Sequence, residues 1–103
     1  MATRHDQEVQ KEIARLKREG FKNIKADIPG YGTPDPIGQG NYIPDIEATK
    51  SGKRVIVEVE EEQQVPNQKR QISTFRRHAA QKKGTDFILL TYRKGKRGSK
   101  KSN

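Results

Sequence analysis

The chain has 103 residues, of which 29% are hydrophobic and 34% are charged, and its formal net charge is +9. This length predicts one domain with a small core, which homodimerisation would supplement. The positive charge indicates a polyanionic partner, most often nucleic acid. No apolar run approaches the ~20 residues that cross a bilayer, and no cysteine is present for a disulfide or a thiolate metal site. We therefore expect a cytoplasmic or nucleoid-associated protein without a membrane partner.

Apolar periodicity and turn residues predict six secondary-structure elements in the order α-β-β-β-α-β. They are a helix over 6–19, strands over 21–28, 42–49 and 54–61, a helix over 66–83 and a strand over 86–92. The last strand contains a continuous apolar run, which is typical of a strand covered on both faces. A four-stranded mixed sheet with helices on both faces is the economical packing of this α/β order. The domain is expected to span 1–92, and the basic segment 93–103 is expected to be disordered.

Three carboxylates come together at the mouth of the predicted hairpin. Asp45 lies on its first strand, and Glu58 and Glu60 share one face of its second strand, because side chains alternate along a strand. Such a cluster is costly in mid-strand unless it is paired or binds a metal. Oxygen ligands suit Mg²⁺ or Mn²⁺, and the carbonyl of Val59 lies beside them. A solvated acidic rim is the alternative that composition leaves open.

The hairpin and its flanking helices resemble the PD-(D/E)XK nuclease superfamily, in particular archaeal-type Holliday junction resolvases. The residues that carry the resemblance are Pro44-Asp45-Ile46, then Glu58-Val59-Glu60 thirteen positions after the aspartate, and Gln68…Ile72…Phe75 on the following helix. It covers roughly residues 8–92. The resemblance implies a restriction-endonuclease-like αβββαβ core. It also implies a Mg²⁺- or Mn²⁺-dependent endonuclease that acts on branched or duplex DNA as a homodimer.

The resemblance also implies roles for individual residues of this chain. Asp45 and Glu58 match the metal ligands of the family. Glu8 or Glu12 matches the helix acid that completes the site, and both are kept because the phase of a helix is uncertain near its ends. Gln68 matches the glutamine that steadies the site from the helix after the hairpin.

The chain departs from the family pattern at one position. The family's lysine, which positions the attacking water and stabilises the developing charge, falls at Glu60. In one alternative, Glu60 is an active acidic residue that also contacts the metal. In another, the family's lysine has been lost at this position and Lys69 from the next helix substitutes for it. A third alternative is a catalytically inactive module that binds DNA without cutting it. A second Pro-Asp pair ends in Asp35, which is interpreted as a turn residue because it lies inside a Gly/Pro loop.

Basic side chains crowd the second helix opposite its apolar face, and they are predicted to contact phosphates without reading bases. They are Lys69, Arg70, Arg76, Arg77, Lys82 and Lys83. Tyr31, between two loop glycines, is a candidate for stacking on an unpaired base. His5 and His78 have no metal-ligand spacing, so no histidine metal site is predicted. A small RNA-associated protein would explain the positive charge but not the carboxylates.

Overall fold

The computed structural model describes residues 3–93. The elements are helix α1 (Arg4–Arg18), strands β1 (Lys22–Ala26), β2 (Ile46–Lys50) and β3 (Lys53–Glu61), a 3₁₀ segment (Glu62–Gln68), helix α2 (Lys69–Gln81) and strand β4 (Thr85–Tyr92). The predicted element order is confirmed. Neither α1 nor α2, the helices of this described part, has the length and apolar character needed to cross a membrane. The prediction for the basic tail falls on residues outside the described range, apart from Arg93.

The four strands form one mixed sheet in the order β1-β2-β3-β4. The first two pairings are antiparallel, and β3 pairs with β4 in parallel. On one face, α1 buries Val9 and Leu16 against Val57 of β3. On the other face, the ring of Phe75 on α2 packs against Ile56. The predicted α/β class, with a four-stranded mixed sheet flanked by helices, is therefore confirmed.

A two-residue turn, Ser51-Gly52, sets the register of the β2–β3 hairpin. Both residues have positive φ, 52° and 82°, as in the type I′ turns whose twist matches antiparallel strands. The ladder pairs Ile46 with Val57. Continuing this register by one residue brings Asp45, which directly precedes β2, opposite Glu58 on β3. The turn thus determines which carboxylates meet at the far end of the hairpin.

Gly52→Ala should lower the free energy of unfolding by about 1 kcal/mol, because an alanine at positive φ is strained. No atom lies within 4 Å of a methyl group added at Gly52, so the effect would come from the backbone alone. Gly32→Ala is the matched control, because Gly32 has equal space without a positive φ. Urea unfolding of both variants measures the difference. Equal losses at the two glycines would contradict the assignment of strain to this turn.

The starts of β2 and α2, and the burial of β4, differ from the prediction. β2 starts at Ile46 rather than at 42, because Tyr42 bridges to Ile37 instead, with hydrogen bonds of 2.8 and 3.0 Å. The residues around Pro66 form the 3₁₀ segment, and the α-helix begins only at Lys69. β4 is the last strand of the described sheet, so its apolar run is half-buried rather than covered on both faces.

Candidate metal centre

Asp45 and Glu58 lie at the end of the hairpin opposite the Ser51-Gly52 turn. Only 8% of Asp45 and 4% of Glu58 is exposed. The backbone N–H of Val59 donates to Asp45 Oδ2 at 2.8 Å, which fixes the aspartate against β3. The structure thus brings together the two carboxylates that the sequence predicted as metal ligands.

Glu58 is a buried carboxylate with an unusual environment. On α2, Gln71 donates through Nε2 to Glu58 Oε2 at 2.6 Å. The other oxygen, Oε1, is buried and has no hydrogen-bond partner within residues 3–93. Burial, followed by the neighbouring charge of Asp45, raises the pKa of Glu58 to about 9. A cation beside Oε1 would satisfy this oxygen and favour the ionised carboxylate.

In each of the other two buried glutamates, an arginine compensates the negative charge of the side chain. Glu12 accepts hydrogen bonds from the Arg15 guanidinium at 2.8 and 2.6 Å. Glu47 lies 2.9 Å from Nη2 of Arg54. Removing the charged partner of a buried ion leaves a costly uncompensated charge, which these pairs avoid. In the described part of the chain, Glu58 is the buried glutamate without such a cationic partner, and its raised pKa favours the protonated, neutral carboxyl instead.

Glu60, the third hairpin carboxylate, is half-buried two residues further along β3. Partial burial, followed by the charge of Asp45, raises the pKa of Glu60. The charges of Glu60 and Asp45 therefore interact, as expected because Glu60 lies on the same face of β3 as Glu58. Lys69, the candidate replacement for the family's lysine, is exposed as the first residue of α2.

The residue that α1 brings to Asp45 is a histidine. His5 Nε2 lies 3.3 Å from Asp45 Oδ2 and 3.1 Å from the carbonyl oxygen of Val59. The hydrogen bond to Asp45 is the main cause that raises the pKa of His5 to about 9. Glu8 is held by basic side chains of its own helix. Glu12 lies seven residues from His5, about 10 Å along the helix axis.

His5, rather than Glu8 or Glu12, is therefore the α1 side chain in contact with Asp45, and no role near the carboxylates had been predicted for it. The prediction started the helix at residue 6, which left His5 outside it. In the structure, Thr3 caps α1 by accepting a hydrogen bond from the Asp6 N–H at 3.0 Å. With the cap at Thr3, His5 lies in the first turn of α1, about one turn before Glu8.

Gln71, rather than Gln68, is the glutamine in contact with Glu58. Gln68 ends the 3₁₀ segment and precedes α2. Gln71→Ala should weaken divalent-metal binding by about tenfold, as expected for a residue that orients a ligand. Gln68→Ala is the matched control and should bind metal like the original chain. Calorimetric titration with Mn²⁺ measures both, and an equal or larger loss at Gln68 would contradict the role of Gln71.

The basic residues of α2 and of its C-terminal end are exposed, as predicted. They are Lys69, Arg70, Arg76, Arg77, Lys82 and Lys83. Arg70 and Arg77 line a groove of about 660 Å³ between α2 and the loop 37–42. Arg76 lies over the ring of Phe87, 5.3 Å from its centroid. Four of these six cations belong to α2, a helix without any Asp or Glu.

Tyr31 contacts other side chains of the protein. Its side chain is half-buried and packs against the core beneath α1. The ammonium group of Lys17 lies 5.8 Å from the ring centroid. The ring is thus engaged by the protein itself, which weakens the interpretation of Tyr31 as a stacking residue.

The polar atoms near the hairpin form a mixed set of oxygen and nitrogen groups. In residues 3–93, no three or more His, Asp and Glu side chains are already arranged to hold a metal ion. Asp45 Oδ2 accepts the Val59 N–H and lies near His5 Nε2, which is also close to the backbone carbonyl of Val59. Glu58 adds a buried oxygen without a partner in this part of the chain. Oxygen-rich donors of this kind suit Mg²⁺ and Mn²⁺.

A scan of protein-family models, a search of curated proteins and a search of solved structures each found no match to this chain. The resemblance to the PD-(D/E)XK superfamily therefore depends on the residues quoted for it and stays a prediction. The confirmed element order agrees with the core that the resemblance implies. A fold class by itself does not assign a function, so the function has to be inferred from the chemistry of the site.

Proposed function

We propose that this protein is a metal-dependent DNA endonuclease that hydrolyses phosphodiester bonds, with branched DNA such as a four-way junction as its substrate. The observation that supports this most strongly is Glu58. It is buried beside Asp45, and one of its oxygens has no partner within the described residues. Such a site in a chain of net charge +9 suits a cation that in turn binds a phosphate of a nucleic acid.

Asp45, Glu58 and the carbonyl of Val59 would hold Mg²⁺ or Mn²⁺. When bound, the metal neutralises charge on the scissile phosphate and lowers the pKa of a bound water. The chain's own residues arrange the ligands in advance. The Val59 N–H orients Asp45, and the Gln71 amide orients Glu58, so both carboxylates are fixed before DNA arrives. This preorganisation reduces the loss of side-chain freedom on binding.

The exposed cations of α2 would hold the DNA backbone. Arg70 precedes Gln71 directly, so one helix carries both the residue that touches Glu58 and a neighbouring cation. Contacts of this kind follow phosphates and are independent of base sequence. A homodimer would place two such sites symmetrically, which is what nicking two strands of a junction requires.

A cleavage assay tests the proposal. The protein is incubated with a synthetic four-way junction and with a linear duplex of the same sequence, in Mg²⁺, in Mn²⁺ and with a chelator. We expect metal-dependent cleavage that favours the junction and is lost in Glu58→Gln, while Glu62→Gln, a change at an exposed glutamate, cleaves normally. Junction binding without cleavage in either metal would overturn the endonuclease proposal.

A catalytically inactive DNA-binding module is the second candidate, and Glu60 favours it because the family's lysine falls at this position. Glu60→Lys separates the two candidates. If Glu60 is a working residue, the substitution removes a negative charge near Asp45 and adds a positive one, so metal binding and cleavage should both fall. Cleavage that appears only in Glu60→Lys would support the inactive module. Competition between junction DNA and structured RNA at matched salt tests the RNA-associated alternative.

A further inference from the structure

The groove of about 660 Å³ between α2 and the loop 37–42 has the charge and size of a nucleotide-binding site. A cavity of this size is typical of pockets that hold a small ligand. Arg70 and Arg77 line the groove, and none of its described lining residues is Asp or Glu. Its charge therefore complements an anion, and planar guanidinium groups suit the oxygens of a phosphate.

The loop that forms one wall of the groove is fixed to the core. Ile37 and Tyr42 pair through backbone hydrogen bonds of 2.8 and 3.0 Å. Ile37 is buried with Phe75 of α2, and the ring of Tyr42 meets that of Phe75 edge to face, with their centroids 6.4 Å apart. Because the wall is already in place, binding does not have to order it, which lowers the cost of binding.

Two glycines allow this loop to lie close to its neighbours. Gly38 has a φ of 77°, and a methyl group added to it would lie 2.5 Å from Cγ2 of Thr74 on α2. A methyl group added to Gly40 would lie 2.7 Å from Cε2 of Tyr42. A larger residue at Gly38 would therefore move the loop away from α2 and change the shape of the groove.

The other lining groups suit a nucleic-acid strand whose bases are unpaired. Arg70 and Arg77 lie seven residues apart, about 10 Å along the helix axis, which is about the length of three stacked nucleotides. Gln39 and Gln81 bring amide groups that both donate and accept hydrogen bonds, and Tyr42 brings an aromatic ring. In a single strand the edges and faces of the bases are open to such groups, whereas in a duplex they are paired and stacked.

From these features we propose that the groove binds a single-stranded segment of DNA next to the candidate metal centre. Arg70, at one end of the groove, directly precedes Gln71, which donates to Glu58. A strand in the groove would therefore lead towards the buried carboxylates. This inference rests on the proposed function and narrows its substrate to branched DNA that carries unpaired nucleotides beside the scissile phosphate.

Fluorescence anisotropy in the presence of a chelator tests this binding without cleavage. It compares a labelled single strand of about 15 nucleotides with the duplex of the same sequence at matched salt. The original chain should bind the single strand at least as tightly as the duplex. Arg77→Gln should weaken single-strand binding by about tenfold, as expected for the loss of a charge-assisted hydrogen bond, and duplex binding much less. Weaker binding of the single strand than of the duplex, or equal losses for both in Arg77→Gln, would overturn the inference.

Two further comparisons separate the shape of the groove from its charge. Arg18→Gln removes the same charge from the exposed surface of α1 and should leave single-strand binding nearly unchanged. Gly38→Ala changes no charge but moves the loop from Thr74, so it should weaken single-strand binding. Gly32→Ala is its matched control, because no atom lies within 4 Å of the added methyl group. Circular dichroism verifies that each variant folds. Unchanged single-strand binding in a folded Gly38→Ala variant would overturn the assignment to this groove.

The inference and the proposed function fail in different experiments. Single-strand binding in the chelator without any metal-dependent cleavage supports the groove and defeats the endonuclease proposal. Cleavage of a junction by a chain that does not bind the single strand defeats the inference alone. Tighter binding of single-stranded RNA than of DNA of the same sequence would overturn the assignment to DNA.

Discussion

Asp45→Asn should reduce metal-dependent DNA cleavage by at least about 100-fold, because the metal that we propose Asp45 binds would contribute several kcal/mol to the transition state. Asparagine has nearly the same size and keeps an oxygen that can accept the Val59 N–H, which now donates at 2.8 Å. The fold should therefore persist while the negative charge is lost. Single-turnover cleavage of a four-way junction measures the rate, and circular dichroism verifies folding.

The chain offers a matched control in its second Pro-Asp pair. Asp35 is exposed in the Gly/Pro loop, and its Oδ1 lies 3.8 Å from the ammonium group of Lys25. Exposed ion pairs of this kind contribute little to stability. Asp35→Asn should therefore cleave at the original rate. A similar loss at both positions would indicate a general effect of charge and would contradict the specific role of Asp45.

In the absence of metal, the protein should become less stable as the pH rises from about 5 to about 9. Burial, followed by the charge of Asp45, raises the pKa of Glu58 from 4.5 to about 9. The hydrogen bond to Asp45 is the main cause that raises the pKa of His5 from 6.5 to about 9. Over these intervals the folded state binds more protons than the unfolded state. The free energy of unfolding then falls with pH, by at most about 1.4 kcal/mol per pH unit for each group.

Glu58→Gln isolates the contribution of the buried glutamate. The variant cannot ionise at this position, so its stability should fall less steeply with pH and exceed that of the original chain at pH 9. The pH dependence of stability that remains in the variant is due to His5, and it should be smaller because solvent screens the exposed part of this side chain. Urea unfolding in a chelator at pH 5, 7 and 9, followed by far-ultraviolet circular dichroism because the chain has no tryptophan, measures both proteins. Stability that rises with pH in the original chain would contradict the prediction.

Adding Mn²⁺ should oppose this loss of stability at high pH in the original chain. A metal binds the deprotonated forms of its ligands and stabilises the folded state by mass action. The stabilisation by a fixed Mn²⁺ concentration should therefore be larger at pH 8 than at pH 6, and it should be small in Glu58→Gln at either pH. A stabilisation that does not depend on pH would indicate that the ion binds elsewhere on the chain.

The sequence determined the elements and the central pair of carboxylates, because both follow from local rules. The spacing of Val9, Ile13 and Leu16 specifies an amphipathic helix wherever it packs. The hairpin register follows from a turn of two residues, Ser51-Gly52, which brings Asp45 opposite Glu58. Short-range geometry was sufficient for these features.

Only the tertiary structure decided which helical residues reach this hairpin. Successive helical residues point about 100° apart around the helix axis. If the predicted start of a helix is wrong by two residues, or the predicted contact residue by three, a different side chain faces the sheet. That is why α1 presents His5 rather than Glu8 or Glu12, and why α2 presents Gln71 rather than Gln68. The docking of each helix on the sheet fixes its phase, and this packing joins residues that lie far apart in the chain.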